Sequence, residues 1–222
     1  YASLDAAWEA TNVDKTKPGF VLRIAQVDLQ DAAGNAEATD VNTDVAIASA
    51  ERILHGDLGA NTPDMTKYTG TGGTYAETKV INYNSVAGDI GAYLDDGTVA
   101  GMDPAPNLPG LPGTAIREGG LDDAAMEIFT YIEFPQVGAY KMVFNSDDGF
   151  RITAAANPKE ILASPIIGQS DVGKGASDVM SWFYVPKAGT YGFRALYLQG
   201  GGGGNLEWAA INPDGVRALI ND

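Results

Sequence analysis

Two stretches of this chain repeat one another. Phe134-Pro-Gln-Val-Gly-Ala-Tyr140 and Val185-Pro-Lys-Ala-Gly-Thr-Tyr191 share the pattern apolar-Pro-x-x-Gly-x-Tyr, and each reads as a strand end, a tight turn and a new strand. Around them apolar residues alternate with polar ones: Met126, Ile128, Ile132 and Phe134; Tyr140, Met142 and Phe144; Phe150 and Ile152; Trp182 and Tyr184; Tyr191, Phe193 and Tyr197; Leu206 and Trp208. Short alternating strands separated by turn residues predict a sandwich or barrel. Seven residues beyond the two tyrosines lie Asp147 and Leu198, so at ~3.3 Å per residue both strands run about 23 Å. If the two strands share a direction, they deliver their following loops to one end of the sandwich. Those loops are Asn145-Ser146-Asp147-Asp148-Gly149 and Gln199 followed by five glycines and Asn205.

Upstream the pattern is different. Residues 20–28 have the β-branched and apolar density of a strand, and a helix follows, with Asn42 or Thr43 as cap, Ile47, Ala50, Ile53 and Leu54 at helical spacing, and Gly56 or Gly59 as its close. His55 falls in the last turn, where a cation suits the helix dipole, and reads as a surface or capping residue. From 61 to 120 the chain is rich in Gly, Pro, Asp and Asn, with one strand expected at 79–83 and a stiff Leu108-Pro-Gly-Leu-Pro-Gly113 run; this reads as ordered loop. The expected organisation is one mostly β domain over 1–222: an antiparallel β-sandwich core at 79–222, and a strand-and-helix segment at 1–78 with one N-terminal helix and long ordered loops.

Composition narrows the chemistry. With 14 basic against 29 acidic residues the chain carries a formal charge of −15, which repels nucleic acid and anionic lipid and favours cations. No stretch approaches the apolar length of a membrane span, so no membrane insertion is expected. One histidine and no cysteine remove zinc clusters, thiol nucleophiles and most histidine acid–base chemistry. Nothing marks one carboxylate pair above another as glycosidase machinery, and no activated nucleophile is recognisable, so the chain does not read as an enzyme. A start at Tyr1 rather than methionine reads as a processed product or a piece of something longer.

Oxygen ligands remain. Consecutive carboxylates beside a loop of exposed carbonyls meet the needs of calcium, which takes six to eight oxygens in an adaptable shell. Asp147 and Asp148 would supply charge, Gln199 a side-chain carbonyl, and the glycines a close approach of main-chain oxygens. The same Asp-Asp-Gly also reads as a plain turn. A second copy, Asp95-Asp96-Gly97, has no tyrosine strand before it and reads as a turn only. Trp8, Trp182 and Trp208 are candidates for stacking on sugar rings, although Trp182 and Trp208 sit at alternating apolar positions and are expected in the core.

The segment from Gly138 to Ile152, GAYKMVFNSDDGFRI, resembles the signature of the PA14 family, in which G-x-Y-x-F runs into S-D-D-G and a further strand. Ala188-Gly-Thr-Tyr-Gly-Phe-Arg-Ala-Leu-Tyr197, with the Gly-rich loop and Asn205-Leu-Glu-Trp208, resembles that family's closing hairpin. The likeness is specific over 126–211 and departs from the family at the N-terminus, where the usual Gly-Leu and Tyr-Tyr opening is replaced by 20–28 and its helix. The resemblance implies a cis Asp147–Asp148 peptide, both carboxylates turned to one Ca2+, and Gln199 with the backbone of Gly200 and Gly201 as second-loop ligands. It further implies glycan or polysaccharide hydroxyls bound at the ion beside Asp147, Asp148 and Asn205, and an extracellular or cell-surface setting. Some family members bind no sugar, so the alternative is a spacer or assembly subunit of an extracellular array, contacting other domains of a longer surface protein or neighbouring subunits.

Overall fold

The computed structural model describes residues 2–27, 47–60, 74–84, 123–201, 204–211 and 215–221. Its strands are β1 (Ala2–Ser3), β2 (Phe20–Gln26), β3 (Thr74–Glu77), β4 (Asn82–Asn84), β5 (Ala124–Phe134), β6 (Gly138–Asp147), β7 (Gly149–Ala155), β8 (Ile166–Ser170), β9 (Ser177–Val185), β10 (Gly189–Gln199), β11 (Asn205–Ile211) and β12 (Arg217–Leu219), with one helix, α1 (Ile47–His55). They form two sheets. The first has the order β1-β9-β6-β11-β12 with β4 also on β11, and the second β3-β2-β5-β10-β7-β8. Every pairing is antiparallel except that of β1 with β9. The mostly β, antiparallel sandwich expected from the alternation is therefore the fold. Strands before residue 79 are built into both sheets, since β1 edges the first and β2 lies between β3 and β5 in the second.

The sheets meet over an apolar and aromatic core. Phe20, Leu22, Ile128, Phe134, Phe144, Phe150, Phe183, Tyr191, Phe193, Tyr197 and Trp208 are all buried there. Phe144 stacks on Phe150 at 4.4 Å between ring centroids, and Phe134 meets Tyr140 edge-on at 4.8 Å, contacts that add about 0.5–1.5 kcal/mol per pair beyond area burial. Trp208 lies in this core as expected. Trp182 does not: it is 47% exposed on the outer face of the first sheet, beside exposed Met180 and Tyr184. In β9 it is Phe183 and Val185 that point inward, and the alternation is ambiguous because both parities are apolar.

Helix α1 covers the outer face of the second sheet, packing Ile47, Ala50 and Ile53 against Ala25, Val27, Ala125, Leu196 and Leu198. Arg194 fixes it there, bidentate to Glu51 at 2.7 and 2.8 Å while also bonding Glu127 at 2.5 Å. Gly56, at φ +86°, closes the helix, with Asp57 N–H returning to the Arg52 carbonyl at 2.9 Å. At its start Ile47 N–H donates to Asp171 Oδ1 at 2.5 Å; Asn42 and Thr43, the expected caps, lie outside the described residues, as do Asp95-Asp96-Gly97 and the 108–113 run. His55, in the last turn, is exposed, and its hydrogen bond to Asp57 raises its pKa above the ordinary histidine value. Of the strand expected at 79–83 only the end is strand: β4 begins at Asn82 and runs to Asn84, with Tyr83 buried in it and Ile81 buried just before it.

Candidate functional site: two crossings at one end of the sandwich

The repeated corners are the same device twice. In the first, Tyr140 Oη donates to the Gln136 carbonyl at 2.8 Å; in the second, Tyr191 Oη donates to the Lys187 carbonyl at 2.7 Å. Gly138 and Gly189 hold φ of +155° and +157°, a region that disfavours any side chain. From the first corner the chain rises along β6 in the first sheet, and from the second it rises along β10 in the other. At the far ends both chains change sheets. Asp147 is still paired with Asn205 in the first sheet, whereas Gly149 is already paired with Leu198 in the second, so Asp147–Asp148 is itself the crossing. The return crossing is the Gly-rich loop, between Gln199 on β10 and Asn205 on β11.

The two crossings touch. Asp148 Oδ2 accepts from Gly200 N–H at 2.9 Å, and Asp148 N–H donates to the Leu198 carbonyl at 3.3 Å. Tyr197 ties them together from the core, its hydroxyl lying 2.5 Å from the Asp147 carbonyl and 3.0 Å from Gln199 Oε1. The Gln199 amide in turn donates to the Gly201 carbonyl at 2.9 Å, and Asp123 N–H donates to the Gly200 carbonyl at 3.0 Å. The peptide between Asp147 and Asp148 is cis, as the resemblance implied. All the residues expected at the site thus gather in one place. Asp147 and Asp148 are 9% and 7% exposed and Gln199 is fully buried; Gly202 and Gly203 lie outside the described residues.

The donor set is one of hard oxygens. Asn205 pairs directly with Asp147 across β11 and β6, which puts the two side chains on the same sheet face with Cβ atoms about 5 Å apart. Asn205 is 1% exposed, yet its Oδ1 has no hydrogen-bond donor among the described residues. A buried carbonyl oxygen without a donor costs roughly 1–3 kcal/mol, and a cation beside Asp147 would relieve it. Among the described residues no three carboxylates or histidines converge, so an ion held here would be completed by amide and main-chain oxygens, as calcium accepts.

Sequence reasoning did not single out Tyr197, Asp123 or the β8–β9 loop as parts of the site. Tyr197 carried a signal, lying two residues before Gln199 and so on the same inward face of β10. The β8–β9 loop carried none. From it, Lys174 N–H donates to Asp148 Oδ1 at 3.0 Å. Nearby, Asp178 is bonded by Arg217 at 2.6 Å and Asn145 at 2.7 Å; burial works against its charge, but these donors hold its carboxyl below the usual carboxylate range.

The fold has solved counterparts. The PA14 sugar-binding domain from an RTX adhesin matches with a TM-score of 0.54 at 16% identity, over 91% of this chain and 94% of that one. The PA14 domain of the antifreeze protein MpAFP matches with a TM-score of 0.53 at 13% identity, over 91% and 87%. The A domain of epithelial adhesin 9 from Candida glabrata, in complex with Galβ1-4GlcNAc, matches with a TM-score of 0.56 at 12% identity, over 96% and 91%. No family model and no curated protein matches the chain. The chain has a PA14-like fold.

Proposed function

We propose that this protein is a calcium-dependent carbohydrate-binding or adhesion module working at the cell surface or outside the cell. The observation that carries this reading is the convergence of the two crossings: Asp147, Asp148 and the Gly200 amide meet at one end of the sandwich, beside Asn205 Oδ1, which has no donor among the described residues. Solved domains of the same fold include a sugar-binding domain and an adhesin domain in complex with Galβ1-4GlcNAc. Asp147 and Asp148 would hold Ca2+ by charge, Asn205 and Gln199 by side-chain carbonyls, and Gly200 and Gly201 by main-chain oxygens. Bound calcium would offer coordination positions to vicinal hydroxyls of a glycan. The role of the chain's own residues is to fix the spacing: Tyr197 holds the Asp147 carbonyl, and Gly200 N–H and Lys174 N–H hold the two oxygens of Asp148. Among the described residues no helix is long and apolar enough to cross a membrane.

One observation favours a second reading. The two carboxylates are almost covered, which suits an ion that only braces the loops of a spacer or assembly subunit. Thermal unfolding with calcium tests the metal site common to both. An ion that binds only the folded state at a hundredfold excess over Kd adds about 2.7 kcal/mol. A calcium-dependent rise in Tm that disappears in Asp148→Asn is the expected result; identical melting with calcium and with chelator would remove the metal from both readings.

A further inference from the structure

The loop between β8 and β9, residues 171–176, brings a positive charge into this acidic end. Lys174 differs from an ordinary surface lysine. Its ammonium donates to the Ser146 carbonyl, to the Ser177 carbonyl at 3.0 Å and to Ser177 Oγ at 3.2 Å, so all three of its donors are used on the strands flanking the site. Ser146 directly precedes the crossing, and its own hydroxyl donates to the Asp148 carbonyl at 2.8 Å. The loop is tied down independently, by Asp171 on the α1 amide and by Lys174 N–H on Asp148 Oδ1. Burial pushes the Lys174 ammonium below the ordinary lysine range, while attraction to Asp147, Asp148 and Asp178 works to keep it charged.

We propose that Lys174 is a tethered counter-cation of the Asp147–Asp148 pair, and that its fixed charge keeps the site's affinity for a divalent cation low. This rests on the calcium reading above and adds the regulation of that site. With no divalent ion bound, two carboxylates at a sheet crossing repel each other, and an ammonium held by three hydrogen bonds offsets that repulsion. For a divalent ion the same ammonium, held on the carbonyl of Ser146 next to the crossing, is a like charge in a partly buried setting where salt screens little. The pair then works as an exchange of charge compensation, weighted so that the ion is taken up where it is abundant, in the 10⁻⁴–10⁻³ M range of extracellular calcium modules. The main-chain bond from Lys174 to Asp148 is indifferent to the side chain, so a substitution isolates the charge.

The test is calorimetric titration of Ca2+ into the wild type, Lys174→Met and Lys174→Arg, with each variant melted in chelator as a check of folding. Lys174→Met is expected to bind Ca2+ about tenfold more tightly, Lys174→Arg to stay near the wild type, and Lys174→Met in chelator to melt below the wild type by a margin that saturating calcium erases. Equal affinities in the wild type and Lys174→Met would overturn the role of Lys174 while leaving the metal site standing. Uptake by neither protein would overturn both. Should Lys174→Met fail to fold, Lys174→Gln carries the same comparison.

Discussion

The two corner-and-strand units of this protein share a sequence pattern and a tyrosine-to-carbonyl bond, yet they are threaded in opposite senses. The first enters from the second sheet and climbs in the first; the second does the reverse. Their crossings consequently meet from opposite sides, one acidic and short, the other neutral, glycine-rich and longer. The calcium site proposed above would need charge from one side and adaptable oxygens from the other, and two copies of one device would supply both when only the loops differ. The corners differ in surroundings as well. A Cβ at Gly138 would meet nothing within 4 Å, whereas one at Gly189 would meet the Glu9 side chain at 2.7 Å. Glu9, itself ion-paired with Lys187, belongs to the N-terminal segment, which also seals the second corner through Ala10 N–H to the Thr190 carbonyl at 2.8 Å.

Cutting the tie between the two units should have the largest effect on stability. Tyr197→Phe removes the hydroxyl that bridges the Asp147 carbonyl and Gln199 Oε1, and should cost roughly 2–3 kcal/mol in urea unfolding, the upper part of the range for loss of a buried hydrogen-bond partner. Loss of under about 0.5 kcal/mol would mean that the two crossings are not mechanically joined. Comparing the corners gives a smaller effect. Gly189→Ala and Gly138→Ala impose similar backbone strain, and the difference between them should be about 1 kcal/mol, with Gly189→Ala the more costly because Glu9 must move; equal losses would show that the N-terminal segment yields freely.

Much of this arrangement was legible in the sequence, for identifiable reasons. The corners were legible because proline and glycine at fixed offsets leave few backbone choices, and the strand lengths followed from the distance to the next turn. The clustering of Asp147, Asp148, Gln199 and Asn205 followed from those lengths. Trp182 was misplaced because every residue from Met180 to Val185 except Ser181 is apolar, so a period of two could not say which parity faces inward. The Arg194–Glu127–Glu51 network was hidden because its members lie 67 and 143 residues apart: Glu127 reaches Arg194 only through the pairing of β5 with β10, and Glu51 only when α1 docks. The position of β2 within the second sheet, and of Lys174 beside Asp148, likewise depends on pairings between distant segments that local pattern does not encode.

The most direct test of the central claim is glycan-array binding by the wild type with calcium, by the wild type with chelator, and by Asp148→Asn with calcium. Retention on a defined set of glycans is expected in the first condition and its loss in the other two. Retention that survives both chelator and Asp148→Asn would contradict it, and no retention in any condition, alongside a calcium-dependent Tm, would replace the sugar-binding reading with the structural one.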